Sequence, residues 1–202
     1  MNAMLNRFLI VMILLLWAPP LTADGTDALE SLRLKVDQGL RIMNDSRLKT
    51  PDRRAEKEEK LWRLSRQLID YQIMSRLVLA SCWREFTSAQ RDDFVTAFSG
   101  FLRRAFLPRL LERYKGEKLY YVQQKRLSPS RAEVAVYVLW NNQKIPFTLN
   151  MIKRHGDWKI YDIHALGVSA VKNYRAQFRW LLMTETPGQL IARLNVDGNP
   201  ES

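Results

Sequence analysis

The sequence predicts an α+β domain, and three observations support this class. Between Asp27 and Gly116, apolar residues recur at the spacing of amphipathic helices. From Lys118 to Ala165 the pattern changes to strict alternation, which is typical of strands with one buried face. Helical spacing returns after Gly167. We therefore expect helices, then an antiparallel sheet, then helices, with the helices packed on the apolar face of the sheet.

The helical part is divided by capping signals at the start of each expected helix. These are Asp27 with Glu30, Thr50 with Pro51, Asp70, and Thr87 with Gln90. Each pairs a side chain that accepts hydrogen bonds, or a proline suited to a first turn, with an apolar stripe downstream. The fourth helix is long, and Pro108 is expected to kink or break it before it stops near Gly116.

Four strands are predicted, separated by short polar turns that favour antiparallel neighbours. They cover residues 118–124, 132–140, 145–153 and 158–165. A helix over residues 168–183 and a short one ending near Leu194 should follow. A four-stranded, curved sheet covered by helices on one face resembles an NTF2-like cone, with an apolar cavity between the sheet and the helices.

The first 23 residues have the pattern of a cleavable export signal. Arg7 precedes ten unbroken apolar residues, 8–17, and a segment with two prolines leads to Ala23. A helix that spans a bilayer needs roughly 20 apolar residues, so a retained membrane span is the weaker interpretation. We expect a signal peptide over residues 1–23 and a single domain over residues 24–202.

The charge and the single cysteine restrict the possible functions. The net charge is +11 at pH 7, which in an exported protein favours anionic lipid headgroups or acidic partner surfaces, not nucleic acid. Most of these charges, taken singly, simply solvate a surface. Cys82 is the only cysteine, so no internal disulfide can form, and its apolar neighbours favour a core role.

Residues suited to catalysis or metal binding are few. His155 precedes a Gly-Asp pair and is expected in a hairpin turn, and His164 with Asp162 is too small a set to complete a metal site. No metal is therefore predicted. Tyr161, Asp162 and His164 would be the acid and base groups if the domain were an enzyme. The simpler interpretation is that Asp162 accepts hydrogen bonds from a neighbouring loop.

Several segments together resemble one known family, the MlaC or toluene-tolerance family. The helical segments are Met74-Ser75-Arg76-Leu77-Val78-Leu79, Trp83-Arg84, and Thr87 to Phe98 with its Gln90-Arg91 and Phe94. The later ones are Trp158-Lys159-Ile160-Tyr161-Asp162-Ile163, Gly167-Val168-Ser169, Asn173-Tyr174-Arg175 and Gln177-Phe178. The resemblance covers residues 69–194 in one order and at close to the family's spacing.

The resemblance implies a soluble periplasmic phospholipid carrier that is not an enzyme. Such a carrier exchanges lipid with an outer-membrane lipoprotein and porin complex and with an inner-membrane ABC transporter complex that has a lipid-binding domain. It contributes to outer-membrane lipid asymmetry and to solvent tolerance. The phospholipid would be cargo, with no cofactor and no nucleic-acid partner.

The carrier hypothesis places the acyl chains between the apolar face of the sheet and the helices. The expected lining residues are Met74, Leu77, Val78, Phe98, Phe101, Leu102, Val134, Val136, Val138, Leu149 and Met151, with Tyr174 and Arg175 near the headgroup. The same apolar residues would also suit an ordinary filled core. Two other functions stay open at this point, a periplasmic enzyme in a cone-shaped fold and an adaptor that binds protein through its basic surface.

Overall fold

The computed structural model describes residues 27–196, so the predicted signal peptide at 1–23 lies outside the described residues. The helices are α1 (Ala28–Asn44), α2 (Arg54–Leu68), α3 (Tyr71–Leu79), α4 (Ser88–Arg113), α5 (Ala170–Leu181) and α6 (Pro187–Val196). The strands are β1 (Leu119–Ser128), β2 (Arg131–Trp140), β3 (Gln143–Arg154), β4 (Asp157–Ala165) and β5 (Val168–Ser169). Short 3₁₀ turns cover Ser46–Leu48, Pro51–Arg53 and Ala80–Arg84. The predicted α+β class is confirmed.

The capping signals set most of the helix starts. Asp27 accepts a hydrogen bond from the Glu30 backbone N–H, and Asp70 accepts one from that of Ile73. Thr87 and Gln90 form the complete reciprocal capping box at the start of α4. Thr50, in contrast, makes no side-chain cap, and Pro51 opens a 3₁₀ turn that leads into α2.

Pro108 does not break α4, which runs as one helix to Arg113. The proline removes a single backbone donor within a helix of 26 residues. The buried stripe of the helix, which includes Phe94, Phe98 and Phe101, continues to Ala105. The loss of one bond is therefore outweighed by packing that has already fixed the helix direction.

The sheet is antiparallel throughout, in the order β1-β2-β3-β4-β5. It has five strands, so the prediction of four is wrong. The fifth comes from residues that were expected to begin the next helix, because Leu166 and Gly167 both take positive φ and reverse the chain tightly. Val168 and Ser169 then pair back onto Ala165 and His164, and α5 begins only at Ala170.

Buried apolar residues form two separate clusters, which we call the helical core and the sheet core. The helical core lies among α3, α4, α5 and α6 and is centred on Phe94, Phe98 and Phe178. The sheet core joins α1 to the inner face of the sheet, and includes Leu32, Val134 and Met151. Ile69 packs against both clusters and is thus a shared wall between them.

The segment that joins the two cores, Ile69 and Asp70, is held by contacts with β3 and β4. Ile69 forms a parallel bridge with Ile160, and the Asp70 backbone N–H donates to the Ile160 carbonyl at 2.8 Å. Arg154 donates to the Asp70 carboxylate at 3.1 Å.

Within residues 27–196, no helix combines the length and the apolar character needed to cross a bilayer.

Candidate functional site

The inner face of the sheet changes from closed to open along its strands. On β2, Val134 and Val136 are fully buried, Val138 is partly exposed, and Trp140, the next residue on that face, is 52% exposed. β3 shows the same gradient in the opposite chain direction, from buried Met151 to partly exposed Ile145, which pairs with Val138. Antiparallel register therefore places the open ends of both strands side by side.

The predicted lining residues divide between the two cores. Met74, Val78, Phe98 and Phe101 lie in the helical core, and Leu77 and Leu102 are partly buried at its edge. Val134, Val136, Leu149 and Met151 lie in the sheet core, and Val138 lies beyond it at the open end. The structure thus does not bring all these residues into one cluster. Leu77 and Leu102 lie at the edge of the helical core, and Val138 lies at the open end of the sheet core.

The two residues expected near a headgroup have other contacts here. Tyr174 is only 7% exposed, and its ring packs against Phe98 at 5.3 Å between centroids and against Phe178 at 5.8 Å. Burial raises the pKa of its hydroxyl, and the charge of Arg109 lowers it in part. Arg175 donates twice to the Leu77 carbonyl, at 2.9 and 2.7 Å, and so joins α5 to the end of α3.

Several side chains that line the sheet face were not predicted. Leu32 is buried in the sheet core, so α1 covers the sheet, whereas the prediction assigned that role to later helices. Tyr121, Phe147 and Ile163 are partly buried against the same cluster and lie nearer its open side. The helical spacing of Leu29, Leu32 and Val36 predicted an amphipathic helix, but spacing alone does not say which surface a helix covers.

The group considered for catalysis has a structural role. Asp162 is buried and accepts hydrogen bonds from Ser169 Oγ at 2.7 Å and from the Val171 backbone N–H at 3.0 Å. Its Oδ2 also lies 3.1 Å from His164 Nε2. Ser169 is the N-cap of α5, so the carboxylate holds the start of that helix against β4.

The residues around Asp162 add little that is chemically unusual. Tyr161 is the extra residue where the β3–β4 register shifts, and burial is the main reason that its pKa is raised. His164 Nε2 also lies 3.2 Å from the Asn150 side-chain amide. His155 is an exposed hairpin residue with positive φ, as its sequence context predicted. Across the described part of the chain, no three His, Cys, Asp or Glu side chains come together so as to hold a metal ion.

The fold and the sequence both match known proteins. The sequence model of the MlaC protein family matches residues 34–196, and the chain belongs to this family. Its fold is similar to the crystal structure of a phospholipid-binding protein from Ralstonia solanacearum in complex with a phospholipid. The TM-score is 0.72 at 20% sequence identity, over 84% of this chain and 96% of the other.

Proposed function

We propose that this protein is a soluble periplasmic phospholipid carrier, exported by a cleavable signal at residues 1–23. The observation that carries the proposal is the MlaC family match over residues 34–196. The similar fold from Ralstonia solanacearum, crystallised with a phospholipid, supports the same conclusion. The cargo is a phospholipid, and no cofactor is required.

The energetics of lipid transfer explain why such a carrier is needed. A two-chain phospholipid has on the order of 30 methylenes, and each costs roughly 0.8 kcal/mol when it passes from hydrocarbon into water. Escape from a bilayer into the aqueous periplasm therefore costs about 20 kcal/mol or more. A carrier must replace the bilayer with an apolar surface whose backbone is already hydrogen-bonded, and the inner face of this sheet supplies such a surface.

We place the acyl chains at the open end of the sheet core, beside the edge of the helical core. Val138, Phe147 and Ile163 would contact the chains on the sheet side, and Leu77 and Leu102 on the helical side. All five are only partly buried, whereas Val134, Val136, Leu149, Met151 and the aromatic residues of the helical core are packed by protein. In this arrangement, the predicted cone-shaped cavity opens between the two cores on the side away from Ile69, since Ile69 joins the cores at the closed end of the sheet, where its bridge partner Ile160 pairs with Met151.

The carrier acts by exchange with membrane complexes, and catalysis has no part in it. It receives and delivers lipid at an outer-membrane lipoprotein and porin complex and at an inner-membrane ABC transporter complex, and thereby maintains outer-membrane lipid asymmetry. Direction is set by the relative affinities of these partners and by ATP hydrolysis in the transporter. The role of Asp162 in holding α5 favours this hypothesis over the enzyme alternative.

The test is the lipid content of gently purified protein, measured by mass spectrometry, together with its extraction of labelled phospholipid from vesicles. We expect stoichiometric phospholipid in the native protein and at least a roughly tenfold loss in Val138→Asp, because a carboxylate would be desolvated against the acyl chains. Val122→Asp is the matched control, since Val122 is 58% exposed on β1. Protein without lipid that also extracts none from vesicles would refute the carrier function.

A further inference from the structure

A basic cleft of about 840 Å³ lies between α2, the start of α3, α4 and the β3–β4 hairpin, and it borders the two cores only at Ile69. Its wall carries five cationic side chains and one carboxylate. The cations are Arg66, Arg103, Arg104, Arg154 and Lys159, and the carboxylate is Asp70. Since Asp70 already accepts from Arg154, the cleft has a clear excess of positive charge.

Two of the arginines are held in place by an aromatic ring at the cleft wall. The guanidinium carbons of Arg66 and Arg103 lie 5.8 and 5.4 Å from the ring centroid of Trp62. Arg103 is also fixed by Glu59 at 3.1 Å. No acidic partner lies within ion-pair distance of Arg66 or Lys159 among the described residues, so both remain available to an external anion.

A second basic cleft, of about 420 Å³, continues the first and shares Gln72 and Arg154 with it. It adds Arg76, Arg91 and one carboxylate, Asp92, and the Arg91 guanidinium lies 5.5 Å from the Trp83 ring centroid. Arg91 Nε also donates to the Trp83 carbonyl at 2.9 Å. The two clefts adjoin at these shared residues, and we call them together the basic groove; each half presents an arginine over the ring of a tryptophan.

We propose that the basic groove docks an extended acidic segment of a partner protein. Arginines that are already oriented lose little freedom when they bind a carboxylate, and their planar donors suit bidentate contacts. Both tryptophans line the groove, and the ring surface that the guanidinium groups leave uncovered would accept the apolar side chains or the backbone of such a segment. Two adjoining clefts with cations in each fit a peptide chain better than a single compact anion.

A flat anionic membrane surface fits the groove less well. Its cations line a concavity, and Arg103 and Arg154 retain side-chain exposures of only 33% and 37%. Strongly exposed large apolar residues in the described range, such as Trp180 and Met183 on or just after α5 and Val196 on α6, do not line either cleft. A bilayer contact would need exposed apolar and basic side chains on one convex surface.

The basic groove is independent of the lipid-binding proposal in its residues. None of the side chains to which we assign acyl contacts lines either cleft. The groove can thus lose its charge while the protein keeps its lipid, and a failure of one proposal can be told from a failure of the other by measuring both properties on the same variant.

The test uses the double variant Arg66→Glu/Lys159→Glu, which removes two cations that have no ion pair to lose. The matched control is Lys118→Glu/Lys125→Glu, an equal change of charge at exposed positions in and beside β1, the opposite edge of the sheet. The probe is a fluorescein-labelled peptide of twelve residues, in which dipeptides that contain Glu alternate with dipeptides that contain Trp. Its binding is measured by fluorescence anisotropy at two salt concentrations. Vesicles of equal phosphatidylglycerol and phosphatidylcholine are the second probe, and bound lipid is measured in parallel.

We expect salt-sensitive peptide binding that weakens roughly tenfold or more in the groove variant and much less in the control. Bound phospholipid should be the same in all three proteins. Equal weakening in both variants would mean attraction by net charge alone, and would overturn the proposal. Vesicle binding that depends on the groove, with peptide binding unchanged, would also overturn it in favour of a membrane surface.

Discussion

The helical core and the sheet core bury apolar side chains in different ways. The helical core is rich in aromatic rings, with Phe94, Phe98, Phe178 and Tyr174 in stacked, tilted or edge-to-face contact at 5.3 to 5.8 Å. The sheet core is mainly aliphatic and becomes progressively exposed toward Val138. Large rings in mutual contact fill space completely, whereas short branched side chains on a half-covered sheet leave a surface that another apolar molecule can cover.

This difference distinguishes the side chains that hold the fold together, in the helical core, from those at the open end of the sheet that would contact the lipid cargo. Residues of the helical core would lose their packing partners if a lipid displaced them, and this would cost folding energy. Residues at the open end of the sheet have little such packing to lose. The comparison therefore narrows the predicted lining set, and the following substitutions test it.

The largest expected effect is in the helical core. Phe98 is fully buried, so Phe98→Ala should lower the free energy of unfolding by about 3–5 kcal/mol. The same substitution on the same helix at Phe106, which is 53% exposed, should change it by about 0.5 kcal/mol or less. Urea denaturation followed by circular dichroism measures both. Similar losses at the two positions would mean that the helical core is not the scaffold.

An intermediate effect is expected at the junction of the two cores. Asp162→Ala removes the acceptor of Ser169 Oγ and of the Val171 N–H, and should lower the free energy of unfolding by about 1–3 kcal/mol. Asp93→Ala, at an exposed position on α4, should stay within about 0.5 kcal/mol. Hydrogen exchange should show the loss concentrated at the start of α5. Unchanged protection there would contradict the anchoring role.

The smallest effect is a pH dependence at the sheet core. Burial raises the pKa of Tyr121 to about 12 from its ordinary 10.0, and its hydroxyl is buried with no hydrogen-bond partner in the described residues. Because the unfolded chain ionises first, this tyrosine contributes stability that is complete below pH 10.0 and is lost as the pH rises through about 12. Tyr121→Phe should lack this loss.

Urea denaturation of the wild type and Tyr121→Phe at increasing pH measures the difference directly. The control is Tyr120→Phe, since Tyr120 lies on the outer face and stacks on Tyr137. Its pH profile should follow that of the wild type. Parallel profiles for the wild type and Tyr121→Phe would show that the Tyr121 hydroxyl reaches water in the folded protein.

Much of the fold could be predicted from short-range patterns. The capping box at Thr87 and Gln90 and the alternation along β2 correctly located α4 and a strand with one buried face. The β5 strand was missed because its two residues are defined by the reversal at Leu166 and Gly167 and not by any periodicity. Pro108 was expected to kink or break α4, and the continuation of the helix to Arg113 was missed because tertiary packing decides whether a helix tolerates one missing donor.

The sequence by itself determined the class of fold, most of the helix starts, the apolar face of the sheet and the resemblance to the MlaC family, because each depends on residues that are close together along the chain. Only the tertiary structure decided that α1 covers the sheet, that the aromatic helices form a core of their own, and that Trp62 and Trp83 stack on arginines of one basic groove. These contacts join distant segments, and an amphipathic pattern specifies that a surface will be buried without specifying against what.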